Sequence, residues 1–77
     1  MSKLPVISGR QLVHALEKVG FAFDRQRGSH IILFRANPPT TISVPDHREL
    51  DRGTLRAILR QAGVSPENLG ELLGRGD

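Results

Sequence analysis

Cysteine, tryptophan and tyrosine are absent, and methionine occurs once. Without cysteine there is no disulfide, no thiolate zinc site and no thiol nucleophile. Aromatic side chains are reduced to three phenylalanines, so platforms on which the bases of a single strand could stack are scarce. No apolar run approaches the roughly 20 residues of a membrane-spanning helix, and no secretory leader is legible, so the cytoplasm is the expected compartment. Internal repeats and low-complexity linkers are missing too. The 77 residues, 8.5 kDa in mass, leave room for one small domain and exclude a large cofactor-binding enzyme. Acidic residues are in deficit, 8 against 11 basic, giving a net charge of +3 and a pI near 10.6. Nine of the basic residues are arginine. A small basic binding module or a very small enzyme remains.

The apolar pattern divides the chain into helix, three strands, helix and short helix. Ser8 followed by Gln11 is a capping box. Beyond it Leu12, Val13, Ala15, Leu16 and Val19 fall on one arc of a helix that Gly20 ends. Phe21–Gln26 reads as a strand, and strict alternation puts Phe21, Phe23, Arg25 and Arg27 on one face. His30–Arg35 is apolar on both faces, as expected of a central strand, and periodicity alone does not assign the face of His30. The stretch from Arg35 to Pro39 reads as a hairpin loop, because prolines do not sit within a ladder. Thr41–Val44 alternates as a third strand ended by Pro45. Asp51 caps a second helix that runs to about Ala62 and is closed by Gly63. Ser65-Pro66-Glu67 restarts a third helix with an apolar face of Leu69, Leu72 and Leu73, and the residues from Gly74 onward are expected to fray. Short connections favour antiparallel pairing. The fold class is therefore α+β: a small antiparallel sheet with its helices on one face.

Charge concentrates in the middle of the chain. Seven arginines (25, 27, 35, 48, 52, 56 and 60) stand there against Asp46, Glu49 and Asp51. Such a footprint suits a phosphate-backbone ligand, although a solvated face with ordinary ion pairs has the same composition. Arg52, Arg56 and Arg60 recur every four residues and form a stripe beside the apolar arc of the second helix. His14 lies on the polar face of the first helix and reads as a surface histidine. His30, just past Arg25 and Arg27, either caps a turn or acts as a proton acceptor beside two phosphate-binding guanidiniums. His47 follows the third strand, in a loop where exposure and function are both common. His30, His47 and Asp46 lack any recognised metal-ligand spacing. Gly53-Thr54 either offers backbone N–H groups to a phosphate or simply opens a helix.

Three ordered segments carry a resemblance. Arg25-Gln26-Arg27-Gly28-Ser29-His30, Val44-Pro45-Asp46-His47 and the run Arg52–Gly63 resemble the HicA (YcfA-like) family of mRNA interferase toxins. The likeness spans about residues 4–64, and the third helix, about 65–73, looks like an extension outside the motif. The resemblance implies a fold similar to the double-stranded-RNA-binding domain. It also implies ribosome-independent endoribonuclease activity on mRNA, no metal or organic cofactor, and a separate HicB-like antitoxin. The histidine of Gly-Ser-His, here His30, is the catalytic residue so implied.

On that reading Arg25, Arg27 and Ser29 hold the reacting phosphate, and His47 is a second candidate acid or base. Arg52, Arg56 and Arg60 then bind the RNA backbone without reading sequence. Two other functions fit the same residues. One is an RNA-binding module of this fold that does not cut. The other is an interaction protein whose leucine-faced third helix and apolar sheet do the work.

Overall fold

The computed structural model describes residues 4–74. In chain order the elements are α1 (Gly9–Glu17), β1 (Ala22–Arg27), β2 (His30–Ala36), β3 (Pro39–Pro45), α2 (Arg52–Ala62) and α3 (Pro66–Leu72). The strands form one antiparallel sheet in the order β1-β2-β3, with β2 in the centre. Element order and topology are those of the expected double-stranded-RNA-binding-domain-like α+β fold, with a short C-terminal helix added.

Local chemistry explains where the helices start and stop. Ser8 Oγ accepts from the Gln11 N–H at 3.1 Å, and the Ser8 N–H donates to Gln11 Oε1 at 2.9 Å. This reciprocal cap opens α1. Asp51 and Ser65 cap α2 and α3 in the same way, each accepting from the N–H three residues on. Both long helices close alike. The N–H groups of Gly20 and Phe21 donate to the carbonyls of Glu17 and Leu16, and those of Gly63 and Val64 to Arg60 and Leu59. Each pair is a Schellman closure around a left-handed glycine, φ 98° at Gly20 and 74° at Gly63.

Register decides which face of the sheet is buried. Ile31 lies opposite Val44, and Leu33 opposite Ile42. All four are buried in one core with Leu12, Ala15 and Leu16 of α1, Leu55, Ile58 and Leu59 of α2, and Leu69 of α3. The helices therefore cover this face. Arg35 points into the same layer, with its guanidinium 4.6 Å from the centroid of the buried Phe21 ring. It donates to the carbonyls of Pro38 and Ala62 and to Thr40 Oγ1, so this arginine of the basic middle is a structural clamp.

Three sequence expectations change. Strand β1 covers Ala22–Arg27 and carries a bulge at Asp24, because Phe23 lies opposite Leu33 while Arg25 lies opposite Ile32. The extra residue shifts the alternation by one. Phe21 and Phe23 face the helices, and Arg25 and Arg27 face the other way; strict alternation had grouped all four. The loop between β2 and β3 shrinks to Asn37-Pro38, joined by a cis peptide. Pro39 becomes the first residue of β3, opposite Ala36, which its place at the start of an edge strand permits. Gly74, the first residue of the tail expected to fray, ends the described segment with its N–H bonded to the Glu71 carbonyl at 3.1 Å, and the rest of that tail lies outside the described residues.

Candidate functional site

The face of the sheet turned away from the helices is open. Its residues alternate with the core set: Arg25 and Arg27 on β1, His30, Ile32 and Phe34 on β2, Thr41, Ser43 and Pro45 on β3. The turn Gly28-Ser29 sets this arrangement. Gly28 has φ 58°, no non-glycine residue among those described has positive φ, and the two residues link Arg27 directly to His30 across the hairpin. A glycine at the first central position is what a type II′ turn requires. Cross-strand partners hold their Cβ atoms about 5 Å apart, and diagonal neighbours lie about 7–8 Å apart. Arg27 is therefore the direct neighbour of His30, and Arg25 its diagonal one.

The His30 imidazole is exposed and has no hydrogen-bond or ion-pair partner among the described residues. With Arg27, Gly28, Ile32 and Ser43 it lines a shallow open depression. Arg25 is ion-paired with its neighbour Asp24. Arg27 has no acidic partner among the described residues.

His47 comes to the same end of the sheet by way of the β3 exit. Pro45 lies opposite His30, and the Asp46 N–H donates to the Ser29 carbonyl at 2.7 Å. Exposed His47 follows, its carbonyl accepting from the Gly9 N–H at 2.9 Å. Helix α1 approaches so closely that a Cβ on Gly9 would lie 1.9 Å from the Pro45 carbonyl oxygen. Only glycine fits there.

Asp46 ties these pieces together. Its carboxylate accepts from Arg10 Nε and Nη2, both at 3.1 Å, and from Gln26 Nε2 at 3.4 Å. Gln26 also donates to the Gly28 carbonyl at 3.1 Å. The Arg10 guanidinium holds the Asp46 carboxyl below its ordinary range, chiefly through the hydrogen bond, with Gln26 and His47 adding smaller contributions. Gln26 and Asp46 stand within the segments that carry the resemblance, but sequence reasoning assigned no role to Gln26 or Arg10, and the one role weighed for Asp46 was that of a metal ligand. A pair 36 residues apart leaves no local signal.

The structure does not bring the arginine stripe to His30. Arg52, Arg56 and Arg60 are exposed on α2, in the helical layer, whereas His30 stands on the far face of the sheet. At the start of α2 the Thr54 N–H is bonded to Asp51 Oδ2 at 3.2 Å, and the Thr54 hydroxyl to Oδ1 at 2.6 Å. These bonds hold the Asp51 carboxyl below its usual range. A carboxylate thus occupies the position where a phosphate would sit. Among the described residues no group of three or more His, Asp or Glu could hold a metal ion.

Two of the three motif segments thus meet, the turn and the strand exit, while the third forms α2 in the other layer. Over residues 9–64 the chain matches the family described as the HicA toxin of bacterial toxin–antitoxin systems. The chain belongs to the HicA toxin family. No curated protein matches it closely enough to serve as a relative. The matched segment contains His30, Arg25, Arg27, Ser29, His47 and the α2 stripe, and it stops before α3. As a HicA member the chain is the toxin of a toxin–antitoxin pair. Among the described residues no helix is long and apolar enough to cross a membrane.

Proposed function

We propose that this HicA chain is a metal-independent endoribonuclease that cuts mRNA on the open face of its sheet. The observation that carries the reading is His30 itself: an exposed imidazole directly across a tight turn from Arg27, neither of them with a hydrogen-bond or ion-pair partner among the described residues. His30 takes the proton from a ribose 2′-OH, and the freed oxygen attacks the adjacent phosphorus. The phosphorus–O5′ bond breaks. The departing O5′ is protonated by His30 or by His47, leaving a 2′,3′-cyclic phosphate and a 5′-hydroxyl. Arg27, and Arg25 behind it, stabilise the charge that builds on the phosphoryl oxygens. The Ser29 hydroxyl, at the turn, is a further donor to the phosphate.

A HicB-like antitoxin silences the site by covering the His30 face, placing acidic or apolar groups against Arg27 and the exposed ring of Phe34. The purified pair is then inactive, and the freed toxin active.

The deciding experiment is cleavage of end-labelled RNA in EDTA by the purified toxin and by its His30→Ala variant. His30 is exposed, so the variant is expected to keep the wild-type melting temperature while cleavage falls at least 100-fold. Cyclic-phosphate ends on the wild-type products identify the 2′-OH as nucleophile. RNA left intact by folded, antitoxin-free wild type would replace the enzyme with an RNA-binding module.

A further inference from the structure

Of the three phenylalanines, Phe21 is buried under Arg35 and Phe23 faces the helical layer. Phe34 alone shares the face of His30, and it is 44% exposed. Its cross-strand partners are Ala22 and Thr41, both too small to screen the ring. Ile32 lies between the two on β2, only 8% exposed and outside the helix-covered core. The open face thus runs from an imidazole flanked by arginines, over an aliphatic floor, to a bare aromatic ring. Phe34 lies four residue steps along the extended strand from His30, about 13 Å.

We infer that Phe34 is a base-stacking subsite for single-stranded RNA, holding a nucleotide beyond the one cleaved at His30. The inference rests on the proposed RNA-cleaving reading of this face, and it narrows the substrate to an unpaired strand. A base inside a duplex presents no free π-face, whereas an unpaired base can be splayed onto an aromatic side chain. The separation from His30 exceeds what one nucleotide bridges, so the base on Phe34 is not the base at the scissile bond. Stacking tolerates any base. Phe34 therefore selects for strandedness and register, and Arg25 and Arg27 supply the charge complement to the backbone between the two ends. An aromatic ring at one end and a proton-transfer group at the other also suit a strand laid along β2.

The test uses a short RNA made uncleavable by 2′-O-methyl riboses, with one abasic nucleotide walked along it. Affinities are measured by fluorescence anisotropy for wild type, Phe34→Ala, Phe34→Leu and Phe34→Tyr. Loss of the stacking contact is expected to weaken binding about tenfold in the Ala and Leu variants, and Tyr is expected to restore it. An abasic nucleotide at one position is expected to weaken wild type by the same factor and to have no effect on Phe34→Ala. An RNA duplex of the same sequence is expected to bind equally to wild type and Phe34→Ala.

Binding that ignores Phe34, or an abasic penalty that persists in Phe34→Ala, would overturn the subsite. So would a variant that binds RNA normally but no longer captures the antitoxin, since the ring would then be a protein contact. Cleavage of unmodified RNA is scored separately. Cutting with Phe34-independent affinity removes only the subsite. Phe34-dependent binding without any cutting removes the nuclease and leaves the subsite standing.

Discussion

Asp46 holds more of the site in place than any residue the motifs single out. Through it α1, the end of β1, the Gly28-Ser29 turn and the His47 loop share one set of hydrogen bonds. Arg10 is 72% exposed, so the pair is screened by solvent and its gain in stability is small. Its pH dependence is nevertheless diagnostic. The folded state depresses the Asp46 pKa, so the stabilisation is complete above the ordinary aspartate range and disappears as pH falls through the lower folded value. Asp46→Asn removes the charge at every pH. The variant is expected to melt below wild type at pH 7 and to converge with it only as pH falls below the ordinary aspartate range, with the gap at pH 7 narrowing in high salt. Melting curves across that range decide the matter, and a gap that stays constant to the lowest pH would mean the ion pair contributes nothing. Asp46 touches no RNA in this scheme. It is a positioning residue, and its loss is expected to loosen the loop that carries His47.

At the scale of elements, the helices were legible because their caps are local. Ser8 with Gln11, Asp51, Ser65 and Gly63 act within a few residues, and each sits where its chemistry requires. The faces of β1 were not legible. One bulged residue, Asp24, separates Phe23 from Arg25, and an insertion of one leaves no mark in composition. The face of His30 depended on the length of the turn before it, which Gly28-Ser29 suggested without fixing. Arg25 and Arg27 were rightly grouped. The shared face with Phe34 appeared only once the register was known. Helix α3 read from the sequence as an extension, and the family match stops at residue 64. Yet Leu69 is completely buried in the common core, with Leu72 and Leu73 packed at its edge. Lys18 Nζ also reaches the Leu72 carbonyl at 2.8 Å. Leu69→Ala is therefore expected to cost about 2–5 kcal/mol, a large share of the roughly 5–15 kcal/mol available to a small domain. Urea unfolding measures it, and a loss below about 1 kcal/mol would make α3 a loosely held appendage.

For the whole molecule, the question is how one strand of RNA could use two basic surfaces. The described residues span 32 × 26 × 24 Å, and the arginine stripe of α2 and the His30 face belong to different layers of that body. RNA bound at both must pass around an edge. Contacts at the stripe then add affinity without touching the reacting phosphate, whereas Arg27 contributes to both. This division has a kinetic signature. Arg56→Gln is expected to raise KM with little change in kcat, and to reduce the slope of log affinity against log salt by about 0.7, one phosphate of a single strand. Arg27→Gln is expected to lower kcat as well, because its guanidinium faces the developing charge beside His30. Arg56→Gln leaves the fold intact, since the side chain is exposed and has no partner among the described residues. Cleavage and binding measured from about 50 to 200 mM salt separate the cases. If Arg56→Gln leaves KM and the salt slope untouched, the RNA never leaves the sheet face. The stripe on α2 would then be free for an acidic partner, and an antitoxin bound there could stay attached while His30 is uncovered.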